Sequence, residues 1–173
     1  MGNWMPTFTG KKFYPLEPRI EDIDIADIAH ALSNLCRFGG HCREFYSISE
    51  HCVHVSHMVD KAHALEGLLH DATEAFLVDM PSPIKRELKD YQRAERRLYD
   101  VIAEKFSIPK EMSKEVHQAD KEILHIEALV LFENPEWARR AFNRDHIVIH
   151  CWEPWEAKYR FTTRYRQLTK DML

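Results

Sequence analysis

Glycine is scarce in this chain, with 5 in 173 residues, and no glycine- or serine-rich linker interrupts it. That argues against a string of small domains, and the length fits one domain, residues 1–173. The four cysteines, Cys36, Cys42, Cys52 and Cys151, form no CxxC pair, which excludes a zinc-knuckle reading. No secretory pattern and no 18-residue apolar run is present, so the expected setting is the cytoplasm, with reduced thiols and no membrane partner. There is no basic excess either. The formal net charge is -4, which makes stable nucleic-acid binding an unexpected main function. The local cluster Arg93, Arg96 and Arg97 reads as a solvated helix face.

The chain does contain apolar material for a core, 45% hydrophobic and 11% aromatic, and eleven histidines. Apolar residues recur at helical spacing from Ile23 to Arg37, and Gly39 and Gly40 are placed to end that helix. Ser47 and Glu50 have the spacing of a capping box, which predicts a helix from Ser47 to about Asp60. Further helices are expected over about 64–77, from a Ser82–Pro83 start, over 90–106, over 110–132 after Pro109, and over 153–173. In the last of these, Trp155, Tyr159, Phe161, Tyr165 and Leu168 are the expected packing positions. The segment "HIVIHCW" at 146–152 is rich in β-branched residues and could pair with "KKFYPL" as a minor sheet. The class is all-α with at most that one β pair.

One stretch resists a purely structural reading. "GLLHDATEAF" sets His70, Asp71 and Glu74 among leucines, alanines and a phenylalanine. Charged groups buried without partners cost several kcal/mol on the order-of-magnitude scale. On a continuous helix the three would share one sector. Asp120 is likewise set in an apolar helix, beside Ala119 and flanked by Val116, Ile123 and Leu124. A histidine-rich helix supplies His51, His54 and His57, with His51 and His54 equal candidates on spacing alone. Two histidines and two carboxylates make a borderline nitrogen–oxygen set that suits Mn, Fe, Co, Ni or Zn.

His51, the pair His70–Asp71 and then Asp120 resemble the H…HD…D signature of HD-domain metal-dependent phosphohydrolases. "RFGGH", "YSISEHCVHVS", "GLLHDATEAFLVDMPSPIK" and "QADKEIL" resemble the branch of bacterial 5′-deoxynucleotidases and small phage dATP triphosphohydrolases. The likeness covers roughly residues 24 to 130. It implies a helical bundle of the HD type and one divalent transition metal held by His51, His70, Asp71 and Asp120, with room for a second, phosphate-bound divalent ion. It implies Glu74 as the group that orients or deprotonates the attacking water, with Asp79 and Lys85 as further catalytic and substrate-contacting groups. Arg37 would contact phosphate or sugar, and Phe38 stands where the family often has a tryptophan that stacks on base or sugar. His41 and His117 are further candidate substrate contacts, while His63, His125, His146 and His150 are read as structural.

The implied activity is removal of phosphate from deoxynucleotides, leaning to deoxyadenosine nucleotides. The alternatives are a 5′-deoxynucleotidase of broad base specificity and an HD module that senses nucleotide without hydrolysing it. A ppGpp hydrolase fits less well, because Ala75 follows Glu74 where that branch has Glu-Asp. Family members form dimers or larger rings, so a homo-oligomer is expected. For a chain of phage origin the compartment would be the host cytoplasm.

Overall fold

The computed structural model describes residues 3–138 and 147–170, and within them the protein is mostly helical. A two-stranded hairpin comes first, β1 (Met5–Pro6) against β2 (Lys12–Phe13), antiparallel with Met5 opposite Phe13. Then follow α1 (Ile25–Asn34), α2 (Ile48–Met58), α3 (Ala64–Leu69), α4 (Glu74–Leu77) and α5 (Ser82–Lys85). The chain continues with α6 (Lys89–Phe106), α7 (Lys114–Leu131) and α8 (Pro154–Thr169).

The minor β pair exists, but its partner differs from the expected one. "KKFYPL" pairs with Met5–Pro6, next to it in sequence, because Gly10 at φ 83° and two turn hydrogen bonds of 3.0 Å, Thr7 N–H to Lys11 O and Gly10 N–H to Thr7 O, close the hairpin locally. Residues 147–152 form no strand. The backbone N–H groups of His150, Cys151 and Trp152 instead donate to the Glu50 carboxylate, at 2.7, 3.1 and 2.7 Å. His146 lies outside the described residues.

Helix α2 is the axis of the molecule. Ile48 through Val53, with Val55 and Ser56, are buried, and α1, α3, α7 and α8 all pack on it. Ser47 caps it as expected, its Oγ accepting from the Glu50 N–H at 3.0 Å. Glu50 does not return the bond to complete the capping box, since its carboxylate is engaged by residues 150–152. Gly67 allows α3 to approach α2 closely: a Cβ there would stand 3.3 Å from the Ser56 Cα.

Several boundaries differ from the sequence expectation. Helix α1 stops at Asn34 because the chain then pairs laterally, with Arg37 N–H to Tyr46 O at 2.9 Å and Ile48 N–H to Leu35 O at 3.1 Å. "RFGG" forms its own tight turn, with left-handed backbone at Phe38, Gly39 and Gly40. The helix expected over 64–77 breaks at His70–Thr73. There the His70 ring bonds to the Gly67 carbonyl at 2.8 Å, competing with the Asp71 N–H for that acceptor. Ala72 N–H to Leu69 O and Glu74 N–H to Asp71 O, both 3.0 Å, tighten the chain into successive turns. Ser82 is the first residue of α5 rather than its cap. Helix α7 starts at Lys114, capped by Ser113, and not at Pro109. On α8, Phe161 is buried, but Trp155 and Tyr159 are 71% and 65% exposed and do not pack in the core.

The core joins Phe13, Ile28, Leu32, Ile48, Leu68, Leu69, Leu98, Ile102 and Phe161, so the hairpin and helices α1, α2, α3, α6 and α8 share it. A smaller cluster of Val55, Val116, Ala119 and Ile123 fastens α7 to α2. That contact aligns Asp120 with His51.

Candidate metal centre

Four of the sequence candidates converge where α2, the turn after α3, and α7 meet. His51 Nε2 lies 3.2 Å from His70 Nε2, 3.2 Å from Asp120 Oδ1 and 3.5 Å from Asp71 Oδ2. His70 Nε2 lies 3.3 Å from Asp71 Oδ2 and 3.9 Å from Asp120 Oδ1. His51 rather than His54 or His57 reaches this cluster. The break at His70–Thr73 corrects the expectation of one continuous helical face for His70, Asp71 and Glu74. The turns still deliver Asp71 beside His70.

The outer nitrogens fix the tautomers. His70 Nδ1 faces the Gly67 carbonyl, an acceptor only, so it carries a hydrogen. His51 Nδ1 faces the Glu127 carboxylate at 2.7 Å and does the same. Both Nε2 lone pairs therefore turn inward, toward each other and toward two carboxylates. Lone pairs 3.2 Å apart need a cation between them or a proton on one nitrogen. His51, His70 and Asp120 form one group that could hold a metal ion, and Asp71 joins His70 and Cys52 in an adjoining one; imidazoles anchored through Nδ1 are the usual form of such ligands. Cys52 also lies within reach of His70 and Asp71, its thiol pushed up to about 11 by burial.

The charges reinforce one another. Burial opposes ionisation of Asp71, yet His70, His51 and Arg37 outweigh it and hold that carboxyl far below the ordinary range. Burial and Arg37 oppose protonation of His51, but Glu127 and Asp120 raise its pKa overall. Burial likewise opposes protonation of His70, and Asp71 more than compensates. Each histidine thus sits in a field that stabilises a cation.

Glu127 is the functional candidate that sequence reasoning missed. It is fully buried, accepts from Tyr46 Oη at 2.8 Å and His51 Nδ1 at 2.7 Å, and meets Arg37 Nη2 at 3.3 Å. Burial would raise its pKa, but Arg37 and His51 bring it down to about 2. The available signal was its position seven residues after Asp120, two turns along the same helix and in the same apolar setting.

Glu74 is buried, with Oε2 lacking any hydrogen-bond partner among the described residues. Burial first, then Asp71 and Asp79, push its pKa well above the usual carboxylate value, against the pull of Arg37 and Lys85. Asp79 is half-buried and reaches the site through this field rather than by a contact. Arg37 is buried and committed to Asp71, at 3.5 Å, and Glu127, so it positions the cluster instead of facing open space. Phe38 is half-buried edge-on against Phe132, ring centroids 5.1 Å apart. His41 and His117 are both exposed, and neither is brought into the cluster.

Beside His70 and Asp71 opens a cleft of about 660 Å³ lined by Thr73, Lys85, Arg96, Tyr99 and Lys110, among others. Lys85 faces it with Nζ 2.5 Å from Glu95. Arg96, read from sequence as part of a solvated face, and Lys110 bring two more cations to the same cleft.

Both acid and alkali should weaken this network. Glu127 has a depressed folded-state pKa, so its contribution is complete above its usual 4.5 and is lost as pH falls toward about 2. His51 and His70 have raised values, so their contribution is complete below 6.5 and fades as pH rises through the folded-state values. Metal-free protein should therefore lose urea resistance at both ends. Metal-loaded protein should resist the alkaline loss, because the cation replaces the departing protons. A flat stability profile between about pH 4.5 and 2 would contradict this assignment of charges.

No family model matches the chain. It is 48% identical over 118 residues to the uncharacterized protein YfdR of Escherichia coli, covering 68% of this chain and 66% of that one, just under two thirds of the relative's length. It is 28% identical over 191 aligned positions to an uncharacterized protein of Rhodobacter capsulatus, spanning 98% of this chain and 97% of the relative. Among the described residues, no helix is long and apolar enough to cross a membrane.

Proposed function

We propose that this protein is a metal-dependent phosphohydrolase of deoxynucleotides, with deoxyadenosine nucleotides the preferred substrates. The observation that carries the reading is the inward convergence of His51 and His70 Nε2 with the Asp71 and Asp120 carboxylates. The nitrogen–oxygen donors suit a dication such as Mn, Co, Zn, Ni or Fe. Bound there, such an ion would polarise a phosphoryl oxygen and acidify a nearby water.

The chain's own groups do the rest. Glu74 Oε2, buried and without a partner, is free to accept a hydrogen bond from water. Its raised pKa gives it more proton affinity than an exposed glutamate, which suits a group that must take a proton from that water. Arg37 holds Asp71 in place and adds fixed positive charge behind it. Lys85, Arg96 and Lys110 line the adjoining cleft together with Glu95 and Glu111, and a phosphate there would compete with Glu95 for Lys85. The lean to deoxyadenosine rests on the resemblance of "RFGG" and "HDATEAFLVDMPSPIK" to the small phage enzymes.

The test is phosphate release from dATP, dAMP, dGTP and AMP with Mn or Co, with products separated by chromatography. The expected result is metal-dependent release, fastest from dATP and abolished by EDTA. Nucleotide binding without release under any metal would replace this reading with that of a sensing module.

A further inference from the structure

A second cleft lies between α2 and α8, with a volume of about 540 Å³. It uses residues that the metal centre leaves idle. His54 and His57 come from α2, and Trp152 and the exposed face of α8 form the other wall. The volume is within the ordinary range for small-molecule sites.

Its chemistry is cationic and aromatic. The Arg160 guanidinium lies 4.5 Å from the Trp152 ring centroid, and the His54 and His150 rings stack with the same indole at 5.6 Å each. Arg164 donates from Nε to Ser56 Oγ at 2.9 Å and from Nη2 to the Ser56 carbonyl at 2.8 Å. It meets no carboxylate among the described residues, so its charge is fixed in place but not neutralised. Glu156, bonded to Arg160 at 2.8 Å, is the one carboxylate lining the cleft among the described residues. The Glu50 carboxylate lies behind the cleft, saturated by three backbone N–H groups. His57 is held below its usual pKa by burial first, then by Arg164 and His54. Trp155 and Tyr159, one helical turn apart, also line the cleft and are largely exposed to solvent.

We propose that this cleft is a second binding site, for a small anion bearing a planar aromatic ring, a nucleoside monophosphate in class. The phosphate sits against Arg164 and Arg160, and the base stacks on Trp155 and Tyr159. Stacking on aromatic side chains and guanidinium contacts to phosphate are the two contacts such a ligand needs. Helix α2 carries His51 toward the metal centre and His54 toward this cleft, so a ligand here touches the helix that positions a metal-ligand candidate. The second site does not depend on the phosphohydrolase reading.

The test titrates the full chain with a dAMP analogue whose ester oxygen is replaced by methylene, which blocks hydrolysis. Calorimetry counts the sites, and tryptophan fluorescence reports Trp152 and Trp155. The expected result is two classes of site in the wild type. Asp120→Asn should weaken one class, while Trp155→Ala and Arg164→Gln each weaken the other by about tenfold or more. Trp155 is 71% exposed, so its replacement leaves the fold intact even if loss of Arg164 disturbs α8. If Asp120→Asn has no effect but the α8 variants do, the metal-centre reading fails and this one stands. A single class of site insensitive to both α8 variants would overturn the proposal. So would α8 variants that alter self-association and not ligand binding, since the face would then be an interface between copies.

Discussion

Replacing Asp71 by alanine should lower phosphate release on the order of a thousandfold or more, and remove the bound metal with it. Asp71 lies within 3.5 Å of both His51 and His70 Nε2, and Arg37 reaches the same oxygen, Oδ2, at 3.5 Å. The substitution would thus delete a proposed ligand and leave a buried guanidinium and two imidazoles without their shared anion. Glu74→Gln makes the useful contrast. It keeps the four-donor cluster but takes away the group able to accept a proton, so metal content should persist while turnover drops by about a hundredfold or more. Equal losses of metal in both variants would mean that Glu74 belongs to the ligand set. Unchanged turnover in Asp71→Ala would remove the metal cluster from the mechanism.

The second large effect should come from Glu127→Leu. Breaking one side of a buried charge network costs about 3–5 kcal/mol, because the partners remain desolvated. Here His51 Nδ1 and Tyr46 Oη lose their acceptor together, and Arg37 keeps only Asp71. Urea unfolding of metal-free protein should show the loss directly. Metal affinity should also fall by about 10- to 100-fold, since His51 loses the acceptor that sets its tautomer. Glu127→Gln retains an oxygen for His51 and Tyr46 while losing the charge opposite Arg37, and should fall between wild type and Glu127→Leu. If leucine is as stable as wild type, the network contributes specificity and not stability.

Much of this was legible in the sequence because it depended on local signals. The helical periodicity of α1 and α6 and the Ser47 cap were readable from spacing, and the all-α class followed. The oddity of His70, Asp71 and Glu74 among leucines pointed to a place where charge needs partners. What stayed hidden depended on contacts distant in sequence. Glu50 looked like half of a capping box, but it holds the backbone of residues 150–152, a hundred positions away. Glu127 looked like an ordinary helix acid until Tyr46, His51 and Arg37 were seen around it. Arg37 matched a phosphate-contacting residue by resemblance, yet the fold buries it between two carboxylates. Trp155 and Tyr159 looked like core positions because apolar character alone does not say which face of a helix is covered.

The central claim is that His51, His70, Asp71 and Asp120 together hold one dication. Its most direct test is the metal-to-chain ratio after loading with cobalt and removing free ion, read by elemental analysis and by the visible absorption of the bound metal. About one ion per chain is expected in the wild type, and close to none in His70→Ala. Cobalt that stays bound after His70→Ala, or that never binds the wild type, would contradict the account.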